Sequence, residues 1–232
     1  VSVSELHDLS AHAAPRTLDT ALFDLDGTLI DSIELIRQSY AHTLRVHRNF
    51  EPPLEFWLDG LGRPLRWQFA HFSADAAEIE AMVATYRAYN LARHDEMICA
   101  FDGAVDAVAQ LKSRGLKLGV VTSKMHAGAL RGLKHCGFDG LFDVVIGADN
   151  VEEHKPHPAP VHAALAHLGA SAESAVMVGD SPHDLASGRG ARAFTAAVAW
   201  GPFPREQLLA TAPDYWLETP REIAVQFLAA RG

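Results

Sequence analysis

Five short apolar runs with β-branched content recur along the chain: TALFDL (20–25), LKLGVV (116–121), DVVIG (143–147), SAVMVG (174–179) and AFTAAVA (193–199). Between them lie stretches with apolar residues at three- and four-residue spacing, such as GAVDAVAQLKSRG (103–115) and PAPVHAALAHLG (158–169), the spacing of a helix face. Gly115, Gly137 and Gly169 fall where such helices should end, because glycine enters the left-handed C-cap conformation without strain. Strands that alternate with helices predict parallel pairing, so the fold expected is α/β with a doubly wound parallel sheet.

One segment breaks the alternation. Residues 33–98 contain no buried-strand run, only the helical patterns IELIRQSYAHTLRVH and DAAEIEAMVATYRAYNLARH around a turn-rich EPPLEFWLDGLGRPL. That length far exceeds an ordinary crossover between parallel strands. The expected organisation is a loosely held leader over 1–18, an α/β core of 19–32 and 99–232, and a helical cap inserted at 33–98.

Composition bounds the function. A formal net charge of −9 disfavours nucleic acid or an anionic membrane as the main partner. No apolar run reaches membrane-spanning length and no charged-then-apolar signal pattern opens the chain, so a cytoplasmic location is expected. Two cysteines, Cys99 and Cys136, are too few for a disulfide framework and are expected as buried small apolar groups.

The chemistry gathers where the runs end. Residues two apart on a strand face the same way, so Asp24 and Asp26 should project together at the carboxyl end of the first strand, the ligand crevice of open α/β sheets. Gly27 permits a sharp turn there, and Thr28 can help to cap the next element. A calcium loop beginning at Asp24 would need Gly and Glu where Leu29 and Leu35 stand, so it is excluded. The second run ends in Thr122 and Ser123, HKPHP places Lys155 after the third, and the fourth runs into GDSPHD with Asp180 and Asp184. Each alone reads as a cap, a solvated charge or a turn residue. Together they make one constellation on one edge of the sheet.

DLDGTLIDS, Thr122, Lys155 and GDSPHD resemble, in order and approximate spacing, the four motifs of the haloacid dehalogenase-like superfamily. The likeness runs from about Asp19 onward, and the helical insert resembles that superfamily's C1-type cap. YRAYNLARHDEM, KLGVVTSK, KPHPAPV, VGDSPHDLASG and VAWG are similar to the phosphoglycolate phosphatase-like branch, its bacterial pyrophosphatases included. The resemblance implies a phosphatase acting on a small anionic phosphate such as phosphoglycolate or pyrophosphate. It also implies Asp26, through its backbone carbonyl, and Asp184, directly or through water, at the metal.

The residue types support that chemistry. Asp24 suits a nucleophile that forms an aspartyl-phosphate, and Asp26 a general acid and base. A carboxylate attacking a phosphate is repelled by it, and Mg²⁺ held by Asp24 and Asp180 would offset the repulsion. Thr122 and Ser123 offer hydroxyls and the start of a helix for phosphate binding, and Lys155 offers positive charge to the transferring group. Arg63, in LDGLGRPL, is either an anion contact or a solvent-facing turn residue. No lysine falls within 33–98, which argues against the branch whose cap supplies a Schiff-base lysine. His154, His157 and His183 lack helical ligand spacing and are expected at the surface or in support, while Phe56, Trp57, Trp67 and Phe69 are expected to pack the cap. A phosphosugar mutase of the β-phosphoglucomutase type shares the motifs. A receiver-like signalling module shares only Asp, Thr, Lys and Mg²⁺, and lacks a large cap.

Overall fold

The computed structural model describes residues 17–50, 53, 57, 58 and 60–230. Strand β1 (Thr20–Phe23) lies inside a parallel sheet with β4 (Lys117–Val121) on one side and β6 (Ala175–Gly179) on the other. Strands β5 (Val144–Ile146), β7 (Phe194–Val198) and β8 (Tyr215–Leu217) complete the order β5-β4-β1-β6-β7-β8. Thr20 stands opposite both Lys117 and Ala175, so the three inner strands end nearly level.

Every residue of β1 and β6 is buried, because helices cover both faces. On one face Ala21 and Phe23 pack with α4 (Ala104–Ser113), α5 (His126–His135) and α9 (Glu222–Ala229). On the other, Leu22 and Met177 meet α6 (Ala159–Leu168), while α7 (Pro182–Gly190) and α8 (Arg205–Leu209) close around Ala197 through Leu185 and Leu208. Gly115, Gly137 and Gly169 all have positive φ, as their place after a helix requires.

Between β2 (Ile30–Asp31) and β3 (Cys99–Ala100) the chain is helical, with α1 (Ile33–Arg48), α2 (Leu65–Phe69) and the long α3 (Ala76–Met97). This insertion has its own apolar cluster of Tyr40, Leu44, Trp57, Phe69, Met82, Val83 and Tyr86. Phe69 is fully buried and stacks on Tyr40 at 5.5 Å between ring centroids. Burying a side chain of that size is worth roughly 1.5–3 kcal/mol, so this contact helps to hold the insertion's helices together, with Phe203 of the core packed against the same cluster. Trp67 does not join them and is exposed; Phe56 lies outside the described residues.

The structure differs from the sequence reading at several points. β2 and β3 form an antiparallel ribbon, Ile30 opposite Ala100 and Asp31 opposite Cys99, that holds the two chain passages of the insertion side by side. Two-residue strands are too short to show alternation, as is the unanticipated β8. Cys99 is exposed and Cys136 half-buried, so neither is a buried core thiol; β3 turns Cys99 outward. Of the expected leader, only Thr17 and Leu18 are described, and Leu18 is fully buried with its N–H donating to Ala230 O at 3.3 Å. Among the described residues no helix is long and apolar enough to cross a membrane.

Candidate active site

β1 delivers Asp24 to the carboxyl edge of the sheet. Its N–H continues the ladder, donating to Val178 O at 2.9 Å, and Leu25 anchors the next position in the core. The chain then reverses: Gly27 N–H donates to Ile30 O at 2.9 Å, and Leu25 O accepts from Ile30 N–H at 3.0 Å. Gly27 has φ +90°, and a Cβ there would lie 2.6 Å from Asp180 Oδ2. Both the backbone conformation and the neighbouring carboxylate therefore demand glycine. Thr28, expected as a local cap, instead donates from Oγ1 to Asp180 Oδ1 at 3.0 Å, across the sheet edge.

Lys155 is the hub. Its Nζ donates to Asp24 Oδ1 at 2.6 Å, to Asp184 Oδ1 at 2.6 Å and to Val121 O at 3.0 Å, and the side chain is almost fully buried. Asp184 is held in turn by Ser181, whose N–H and Oγ donate to Oδ2 at 3.1 and 2.5 Å as α7 begins. Asp24, Asp180 and Asp184 each offer an oxygen within 4.8 Å of the others. One ammonium cannot balance three such carboxylates. Burial, opposed by Lys155 but reinforced by Asp184, pushes Asp24 up to about 7. Burial and the Asp184 and Asp24 charges push Asp180 well above the ordinary carboxylate range. Burial would lower Lys155, but Asp184 and Asp24 outweigh it and hold the lysine above its ordinary value. A surplus of buried negative charge on an all-oxygen donor set fits a hard divalent cation such as Mg²⁺.

Asp26 has separate partners. Lys124 Nζ and Ser32 Oγ both donate to its Oδ1, each at 2.6 Å, which leaves Oδ2 without a partner among the described residues. Burial would raise this carboxyl, but the Lys124 ammonium and the two hydrogen bonds outweigh it, so Asp26 is held below the ordinary range. Lys124 and Ser32 were missed as site residues. The only signal was position, Lys124 two residues after Thr122 and Ser32 closing the DLDGTLIDS stretch.

The other expected residues gather at the same edge with different contacts. Thr122 is buried, and its Oγ1 accepts from Lys124 N–H at 3.1 Å. The helix expected to start there begins only at His126, because the residues after Thr122 form a turn. Ser123 Oγ donates to Gly62 O at 2.6 Å, so its hydroxyl ties the core to the insertion. Arg63, one residue on, is half-buried with its guanidinium 4.7 Å from the Trp67 ring centre, and its buried Nε has no partner among the described residues. His183 lies in the same cleft, lowered by burial and then by Arg63. His157 is exposed and His154 half-buried.

Comparison with known proteins identifies a family and a fold. The family model for haloacid dehalogenase-like hydrolases matches residues 21–198. A curated relative from Anoxybacillus flavithermus (strain DSM 21510 / WK1), "Pyrophosphatase PpaX", is 42% identical over 201 residues, 87% of this chain and 93% of that protein. Among solved structures, a hydrolase from Pseudomonas syringae superposes with a TM-score of 0.82 at 22% identity, over 91% of this chain and 98% of the other. CbbY from Rhodobacter sphaeroides in complex with phosphate superposes with a TM-score of 0.79 at 25% identity, over 89% and 96%. A buried acidic cluster bridged by one lysine at the carboxyl edge of a doubly wound sheet, and a family match from β1 through β7, lead to one assignment: the chain belongs to the haloacid dehalogenase-like hydrolases.

Proposed function

We propose that the protein is a Mg²⁺-dependent phosphatase that hydrolyses a small anionic phosphate through an aspartyl-phosphate on Asp24, with pyrophosphate as the leading substrate and phosphoglycolate next. The observation that carries the reading is the buried Asp24–Lys155–Asp184 bridge beside Asp180. The "Pyrophosphatase PpaX" relative favours pyrophosphate.

Asp24, Asp180 and Asp184, with the backbone carbonyl of Asp26, would hold the ion. When bound, Mg²⁺ supplies charge neutralisation for the carboxylates and for the phosphoryl oxygens. Lys155 keeps Asp24 Oδ1 oriented, and Thr122 offers its hydroxyl to the transferring phosphoryl group. A carboxylate oxygen of Asp24 attacks phosphorus; the new O–P bond forms as the bond to the leaving oxygen breaks. Asp26 serves at its unpartnered Oδ2, giving a proton to the leaving oxygen and later taking one from the water that cleaves the aspartyl-phosphate. Asp24 is then regenerated and orthophosphate released. Lys124 favours the ionised form of Asp26, and orthophosphate leaves more readily than an alcohol, so pyrophosphate is the substrate that asks least of Asp26 as an acid.

The test is phosphate release from pyrophosphate with Mg²⁺, with EDTA, and in Asp24→Asn. Loss with EDTA, return with Mg²⁺ and no phospho-enzyme in Asp24→Asn are expected. Full turnover in chelator or in Asp24→Asn would refute the mechanism.

A further inference from the structure

His183 has no role in the chemistry above, yet it stands where the core meets the insertion. It occupies the first turn of α7, half-buried. A Cβ placed on Gly62 would lie 3.5 Å from its ring Cδ2 and 3.5 Å from Ser181 Oγ, so the ring packs against the insertion's loop. Ser123 Oγ grips the carbonyl of the same glycine at 2.6 Å, which holds that loop against the core. Among the described residues neither ring nitrogen of His183 has a hydrogen-bond partner. The neighbouring Arg63 guanidinium makes no ion pair among the described residues, and its Nε is buried and unpartnered.

Two donor side chains from segments far apart in sequence thus flank one cleft with their donors unused. The buried Arg63 Nε left without an acceptor is costly, and a ligand that accepts from it and from the half-buried His183 ring removes that cost. His183 directly precedes Asp184 in α7, which puts the ring beside the acidic cluster. We propose that His183 is a specificity residue: with Arg63 it binds the anionic group of the substrate that is not transferred, the second phosphate of pyrophosphate or the carboxylate of phosphoglycolate. The inference rests on the phosphatase reading. It adds that selection for a second anion is shared between core and insertion, so the subsite is complete only while Gly62 stays docked.

The experiment measures kcat/KM for pyrophosphate and for 4-nitrophenyl phosphate, which carries no second anion, in wild type, His183→Leu, His183→Gln and Arg63→Ala. His183→Leu keeps bulk under Gly62 but removes the donors, and His183→Gln keeps a donor. In His183→Leu the pyrophosphate-to-nitrophenyl ratio should fall about 10–100-fold, the scale of a lost hydrogen bond to a charged group, mainly through KM. His183→Gln should recover part of the ratio. The double variant with Arg63→Ala should lose less than the two single losses combined, since both contact one group. An unchanged ratio in His183→Leu would overturn the inference and leave the phosphatase reading intact, and an equal fall on both substrates would reveal packing alone. A wild type that does not prefer pyrophosphate would overturn the substrate reading and this inference with it.

Discussion

Replacing Lys155 by Met tests whether its ammonium compensates the acidic cluster. Met is similar in volume and unbranched, so the change leaves little cavity and removes chiefly charge. Lys155 is 3% exposed and bonds Asp24 and Asp184 at 2.6 Å each. Breaking a buried ion pair from one side costs about 3–5 kcal/mol, and one ammonium here serves two carboxylates, so a loss near the upper end is expected in metal-free protein at pH 7. A domain of this size has about 5–15 kcal/mol in total, so a loss of that size is a large share of it. The pH dependence is more diagnostic. Asp24 is raised from 3.8 to about 7, so the folded state holds more protons than the unfolded state between those values. Its contribution is fully present below the unfolded pKa and is lost as pH rises through the folded one, by at most about 1.4 kcal/mol per pH unit for each proton. Without the lysine that window extends upward. As pH rises from 5 to 8, Lys155→Met should lose more stability than wild type, because no ammonium opposes its ionising carboxylates. Urea unfolding at pH 5, 6, 7 and 8 in EDTA, repeated with excess Mg²⁺, reads this directly. The deficit should be greatest at pH 8, shrink at pH 5 and shrink again with Mg²⁺, which binds only the folded state. A deficit below about 1 kcal/mol, or one indifferent to pH and Mg²⁺, would refute the account.

Three further expectations rest on single contacts. Gly27→Ala forces a side chain into φ +90° and against Asp180 Oδ2 at 2.6 Å. It should cost more than the roughly 1–2 kcal/mol of left-handed strain, and an unshifted thermal midpoint would contradict the geometry. Lys124→Met removes the ammonium that holds Asp26 low, so Asp26 keeps the proton it gives the leaving oxygen to higher pH and the alkaline limb of the kcat/KM profile should move up; an unmoved limb would show that Asp26 does not set it. Phe69→Ala empties the centre of the insertion's apolar cluster and should cost about 3–5 kcal/mol by urea unfolding, whereas a loss under about 1 kcal/mol would mean that the insertion is not packed as described.

The parallel α/β core, the helical stretch between Asp31 and Cys99, the placement of Asp24, Thr122 and Asp180 at strand ends and of Lys155 in the loop beyond β5 were legible in the amino-acid sequence. Each arises from local pattern. Apolar periodicity separates strands from helices, glycines mark helix ends, and a parallel sheet sends all its carboxyl ends to one edge. Any polar residue that closes a core strand must therefore arrive there, however distant in the chain. The partners of those residues obey no such rule. Lys124 reaches Asp26 across 98 residues, Ser123 reaches Gly62 across 61, and Thr28 bonds Asp180 across 152 rather than capping its own turn. The β2–β3 ribbon, β8 and the exposure of Cys99 likewise rest on pairing or packing that two or three residues cannot announce. Local pattern decides which way a backbone runs and which edge it ends on; which side chain then bonds which is decided by the distances that packing imposes, and these exist only in the folded chain.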